Sequence, residues 1–122
     1  MTQDTSLPEN IRQVAILIVG SRFNAAYELY GHTVLSESVL GNAKVEALVQ
    51  GLRPVDLNTE EDCAYSITKA LLQSGPLPAE LYLHAVQTLG QNGASELVYL
   101  VGVYCLVSVT LNGFDVKQPP AP

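Results

Sequence analysis

Eighteen consecutive residues, Leu97 to Phe114, carry no charge, and they lie between Glu96 and Asp115. A run of that length suits a membrane span or a helix enclosed by protein. It lacks basic flanks and contains Gly102, Ser108, Thr110 and Asn112. It is therefore read as a helix buried on all sides, with no membrane as partner. A second apolar run, Val14 to Val19, follows Ile11. Its β-branched residues suit a strand or a buried helix. No other segment alternates as a strand partner would, and a single strand has nothing to pair with, so this run is also assigned to a helix.

Punctuation divides the rest. Ser21 to about Ser38 reads as a second helix, and Gly41-Asn42 as a stop followed by a cap. A short helix then spans Ala43 to about Gln50, and a loop containing Pro54 leads to Asn58 or Thr59 as the next cap. Asp62 stands three residues after Thr59, in the manner of a capping box. Ala64, Ile67, Ala70 and Leu71 give that helix its apolar face, and Ser74-Gly75-Pro76 ends it. Pro78 opens another, with Leu81, Ala85, Val86 and Leu89 on one face. Gly90 and Gly93 bracket a turn, and the last helix runs from about Ala94 to Asn112, with Gly113 free to cap it. The expectation is an all-α single domain of about six helices over residues 10–116. A loose arm, 1–9, precedes it and a Pro-rich tail, 117–122, follows. Met1 to Asn10 has no apolar stretch of the signal-peptide kind, so a cytoplasmic protein is expected.

A fold of this mass exposes about 6,400 Å² of the roughly 19,000 Å² that the open chain exposes, which allows one core. Hydrophobic residues make up 48% of the 122 and charged residues only 15%, against an ordinary charged share of about 25%. So few charges leave apolar surface to be covered by other copies, which predicts a homo-oligomer. The formal net charge is −6, and Arg12, Arg22, Lys44, Arg53, Lys69 and Lys117 are scattered. Without a concentrated basic face, nucleic acid is not expected as a partner. Cys63 and Cys105, with His32 and His84, do not make a zinc-ligand pattern; the thiols read as free and buried, and no metal is expected.

Glu28 and His32 are four residues apart, so a helix places them on one face within reach of each other. Ala25, Ser21 and Leu35 are expected on that face. A carboxylate beside an imidazole in apolar surroundings is a proton-transfer pair, since each supports the other's charge. The same spacing serves an ordinary surface ion pair equally well.

Four stretches carry a resemblance in order and spacing. They are Arg12-Gln13-Val14-Ala15-Ile16-Leu17; Tyr27-Glu28-x-x-x-His32; Glu96-Leu97-Val98-x-Leu100-Val101-Gly102-x-Tyr104; and Leu111-Asn112-Gly113-Phe114. Over residues 11–116 the chain resembles the carboxymuconolactone decarboxylase family of the alkylhydroperoxidase-like superfamily. The resemblance implies an all-α alkylhydroperoxidase-like fold that assembles as a trimer or hexamer. It also implies cofactor-free lyase or isomerase chemistry on a small cyclic carboxylic acid or lactone. His32 would donate the proton and Glu28 would orient and charge it. Tyr27 or Tyr104 would hold an enolate oxygen, Arg22 an anionic substrate, and Ala25 would leave room beside the imidazole. The redox branch carries a CxxC whose cysteines fall at Ala25 and Glu28 here, so thiol peroxidase chemistry is not implied. Leu29 stands where the decarboxylase branch often has Trp, and Gln13 where relatives often have Glu. A neutral amide at Gln13 puts in question any mechanism that needs a third acid. The alternative reading is a non-catalytic small-molecule-binding or structural homologue, with the pair kept only as a salt bridge.

Overall fold

A computed structural model describes residues 7–117. It contains five helical elements: α1 Glu9–Phe23, α2 Ala26–Leu40, α3 Asn42–Val49, α4 Thr59–Leu71 and α5 Ala79–Gly113. The all-α expectation agrees with this; the helix count is one lower. The break foreseen near Gly90 is there, with Gly90 at φ 80° and ψ 165°, but the helix resumes at once, so the two expected helices form one kinked element. The Pro-rich tail from residue 118 and the first six residues of the arm lie outside the described residues. The rest of that arm is not loose: Leu7 is buried and Glu9 opens α1.

Every residue of α1 from Ile11 to Gly20 is buried, because α2, α3, α4 and α5 all pack against this one helix. A helix enclosed on every side has no polar face, which is why its sequence shows no helical period. Its β-branched residues give up little propensity, a few tenths of a kcal/mol each, against roughly 1.5–3 kcal/mol for burying each large aliphatic side chain. Tertiary burial therefore decides the element.

The helix also runs further than its glycine suggests. It passes through Gly20 and Ser21 and ends at Asn24, whose left-handed φ of 50° and ψ of 47° turn the chain into α2. Gly20 serves packing instead: a Cβ there would meet Leu29 Cδ2 at 3.0 Å and Glu28 Cγ at 3.9 Å. Its missing side chain lets α1 and α2 approach closely beside Glu28.

The uncharged run in α5 is not buried on all sides. Leu97, Leu100, Val101 and Ser108 face the core, whereas Tyr99, Leu106 and Val109 are more than half exposed. One small domain covers one side of such a helix and leaves the other bare. By length and composition this is the one helix among the described residues that could cross a membrane; its most apolar window is 28% buried. Asn112 Nδ2 donates to the carbonyl of Phe23 at 2.7 Å and so ties the end of α5 to the end of α1.

A polar hub fixes the opposite side. Asn58 caps α4, accepting from the Glu61 backbone N–H at 2.8 Å while Glu61 accepts from the Asn58 N–H. The capping box thus uses Glu61, not Asp62 as the spacing from Thr59 suggested. Buried Glu61 also accepts from Lys44 Nζ at 2.8 Å and from Asn10 Nδ2 at 2.9 Å, joining α1, α3 and α4. Burial pushes the Glu61 carboxyl up, but the bonds from Lys44, Asn10 and Asn58 outweigh it and hold the group below its ordinary value. A depressed carboxylate contributes stability above its unfolded pKa and loses it as pH falls through the folded one. Lys44→Met should cost about 3 kcal/mol at neutral pH, as expected when a buried ion pair loses one partner. Urea unfolding should show that cost shrinking as the solution is acidified below the ordinary carboxylate range.

Candidate active site

The Glu28 and His32 side chains meet as their spacing predicts. Glu28 Oε1 lies 2.7 Å from His32 Nε2, and the pair is largely buried, with side-chain exposures of 8% and 21%. The other ring nitrogen is also engaged: His32 Nδ1 lies 3.2 Å from Gln13 Oε1 across the α1–α2 contact. The Gln13 amide is oriented by Glu9, whose Oε2 accepts from Gln13 Nε2 at 2.6 Å. With its amide nitrogen so held, Gln13 offers His32 an acceptor, and the Nδ1–H donates to it. Nε2 is left facing the Glu28 carboxylate at 2.7 Å.

Further groups close the cluster. The Ser36 hydroxyl, fully buried, lies 2.8 Å from Gln13 Oε1 and 2.6 Å from the carbonyl of His32, and donates to one at a time. Arg12, 7% exposed, places Nη1 3.0 and 3.2 Å from the two oxygens of Glu9. The Tyr104 ring from α5 stands edge-on to the imidazole, with centroids 5.5 Å apart and planes at 86°. Burial and the nearby charge of Glu28 push the Tyr104 phenol above its ordinary pKa; Arg12 pulls the other way and Glu9 adds to the rise. The phenol therefore keeps its proton through neutral pH and remains a hydrogen-bond donor.

Of the expected site residues, His32, Glu28 and Tyr104 are brought together. Ala25 is the N-cap of α2 and is fully buried. Tyr27 and Arg22 go elsewhere. The Tyr27 ring is 43% exposed and pairs with Tyr30 at 6.5 Å. Arg22 is exposed, with its guanidinium 6.0 Å from the Phe23 ring centre. Both sit around the α1–α2 turn, which moves four residues later than the sequence suggested. Ser21 belongs to α1 and donates to Val49 O, and Leu35 is 47% exposed. Sequence reasoning missed Glu9, Arg12 and Ser36 as members of the cluster. Ser36 had a signal, being four residues after His32, as His32 is after Glu28. Glu9 had one too, three and four residues before Arg12 and Gln13.

The thiols stand apart from this chemistry. Burial raises the pKa of both Cys63 and Cys105, offset in part at Cys63 by a hydrogen bond with Thr88. Raised thiols are poor nucleophiles at neutral pH. Among the described residues, no three or more His, Cys, Asp or Glu side chains form a group that could hold a metal ion. A concavity of about 420 Å³ opens on another face of α2, lined by Ala26, Leu29, Tyr30, Thr33, Val34 and Val49.

No family model matches the chain, and neither a curated protein nor a solved structure does.

The Tyr104 environment sets a measurable signature. Ultraviolet difference titration of the native protein against Tyr104→Phe should place this phenol above the ordinary tyrosine range. Glu28→Gln should bring it part of the way back, because one negative neighbour is gone while burial remains.

Proposed function

We propose that the chain is a cofactor-free lyase or isomerase that moves a proton on a small cyclic carboxylic acid or lactone, in the manner of the carboxymuconolactone decarboxylase family it resembles. The observation that carries this reading is the buried His32–Glu28 pair, with the far ring nitrogen locked by Gln13. A working acid–base histidine needs one nitrogen fixed and the other free to exchange protons. In the decarboxylation form, the bond from carbon to the substrate carboxylate breaks and CO2 leaves. The bonding pair moves into an adjacent unsaturated carbonyl as an enolate. Tyr104 donates a hydrogen bond to the enolate oxygen, where charge develops. His32 delivers the proton from Nε2 to carbon and regains one from water. Because Glu28 covers Nε2, its carboxylate must swing aside when substrate arrives. Gln13 carries no acid, but Glu9 brings a second carboxylate into the cluster one hydrogen bond further out.

A panel of cyclic enol acids and carboxylated lactones, followed by CO2 release and by loss of ultraviolet absorbance, tests this. His32→Ala should lower turnover about 10² to 10⁴-fold, the usual share of general acid–base catalysis. Glu28→Gln should lower it too, with the fold retained, since it keeps the side-chain volume. Normal turnover by His32→Ala would end the reading.

One observation favours the rival, a non-catalytic small-molecule-binding or structural protein of the same fold: the 420 Å³ concavity lies away from His32. Uptake of an apolar dye that survives His32→Ala but is lost in Val34→Glu, with no turnover across the panel, would support that rival.

We also propose that the protein is a homo-oligomer, a trimer or hexamer, joined through α5. Ser95, Tyr99, Gly102, Leu106, Val109 and Gly113 are exposed and alternate in steps of four and three, which makes one uncharged seam along the helix. Like-charged copies, each at −6, repel elsewhere, so contact falls on a strip without charge. Light scattering should give a multiple of 13.1 kDa, and Leu106→Lys should dissociate it. A monomer at micromolar concentration, or partition of the wild type into lipid vesicles, would overturn this.

A further inference from the structure

Gln13 is sealed from solvent, and its amide has two ways to lie. In the folded chain Oε1 faces His32 Nδ1 at 3.2 Å and the Ser36 hydroxyl at 2.8 Å, and Nε2 faces Glu9 Oε2 at 2.6 Å. Flipping the amide exchanges oxygen for nitrogen at those places. His32 accommodates either setting, because an imidazole nitrogen donates or accepts according to its tautomer. Ser36 accommodates either as well: its oxygen can accept from an amide N–H while its hydrogen goes to the carbonyl of His32 at 2.6 Å. Glu9 does not. A carboxylate only accepts, and that of Glu9 is held in place by Arg12 Nη1 at 3.0 Å. Of these three partners, Glu9 is the one that distinguishes the settings. Away from bulk water, the flipped amide would leave oxygen against oxygen there.

The choice matters at the ring. With the amide oxygen presented, Nδ1 keeps its hydrogen, and Nε2, which faces Glu28, is the nitrogen whose proton can leave. A ring that gives up the Nε2 proton must retain the other, and retaining it in a buried place takes an acceptor. With the amide nitrogen presented instead, Nδ1 becomes the acceptor. The ring hydrogen then sits on Nε2, where the Glu28 carboxylate holds it. Such a ring has no second hydrogen and can give none away without becoming an anion.

We infer that Glu9 is a positioning residue for His32: through the Gln13 amide it fixes a hydrogen on Nδ1 and so reserves Nε2 for proton transfer. It acts across two successive hydrogen bonds, from Glu9 to Gln13 and from Gln13 to the ring. The tautomer stands on those bonds; its use in turnover rests on the proton-transfer reading of the site.

The test reads the ring nitrogens of the isotope-labelled intact protein at neutral pH by long-range proton–nitrogen correlation, in which protonated and bare nitrogens resonate far apart. The sequence holds two histidines, His32 and His84, and His84→Gln assigns the signals without touching the cluster. The wild type should show a protonated Nδ1 at His32. In Glu9→Gln the new amide can donate as well as accept, so Gln13 is free to flip, and a population with bare Nδ1 and protonated Nε2 should appear. That variant keeps its shape and an oxygen for Arg12, and the Glu9 side chain is 37% exposed, so the fold is retained. Ser36→Ala should leave Nδ1 protonated, because Ser36 does not choose between the settings. Glu60→Gln, the same charge change at an exposed position of α4, should leave the spectrum unaltered. On a substrate of the panel, Glu9→Gln should lower kcat in proportion to the fraction of rings converted and leave KM unchanged. A bare Nδ1 in the wild type, a Glu9→Gln spectrum identical to it, or loss of the Nδ1 hydrogen in Ser36→Ala overturns the assignment, and converted rings with undiminished kcat end the part of Glu9 in turnover. Failure of the proton-transfer reading looks different: the ring signals respond to Glu9→Gln as stated, but His32→Ala leaves turnover unchanged.

Discussion

The molecule is organised by the enclosure of α1. Four helices pack on it, so it cannot carry polar groups without partners, and the ones it carries dictate where its neighbours sit. Gln13 is the clearest case. It is 1% exposed, and its amide is satisfied only if α2 presents His32 and Ser36 to one end while Glu9 meets the other. At the opposite end of the same helix pair, Gly20 admits Leu29 at a distance no larger residue would allow. One polar contact and one close approach together fix the register of α2 on α1, and that register sets His32 against Gln13.

The same enclosure accounts for what the sequence revealed. The pair Glu28–His32 was legible, because a four-residue spacing on a helix is a local rule. The all-α class was legible too, because no segment could pair with a lone strand. The end of α1 was misplaced because Gly20 resembles a stop signal but is used for packing, while Asn24 adopts the left-handed turn. Arg22 was named for the site, and Arg12 was missed as a member of the cluster, because nothing local distinguishes a buried guanidinium from an exposed one. The partnership of Gln13 with His32 spans 19 positions and two helices, so it appears only in three dimensions. The bare side of α5 was misjudged for a related reason: an uncharged run says that a helix avoids water, not which body shields it.

Electrostatically, the cluster is close to self-balancing. Arg12 stands against Glu9, and a protonated His32 would stand against Glu28. Each charge is partly withdrawn from water, so each interaction is stronger than the same pair would be on the surface. Tyr104 experiences the sum, retaining its proton through burial and through the carboxylates around it. A ligand entering such a site meets oriented donors and little free solvent.

The tie between α1 and α2 also has a kinetic meaning. Glu9, Arg12, Gln13, Glu28, His32 and Ser36 all belong to one antiparallel helix pair joined by a turn of two residues, with contacts 19 and 23 positions apart. Contacts of such short range close rapidly and cost little chain entropy. Tyr104 and the Asn112 tether reach that pair only when α5 docks, across a separation of 89 positions for the latter. The ionic half of the cluster is thus a product of local folding, and its aromatic wall is the last piece to arrive.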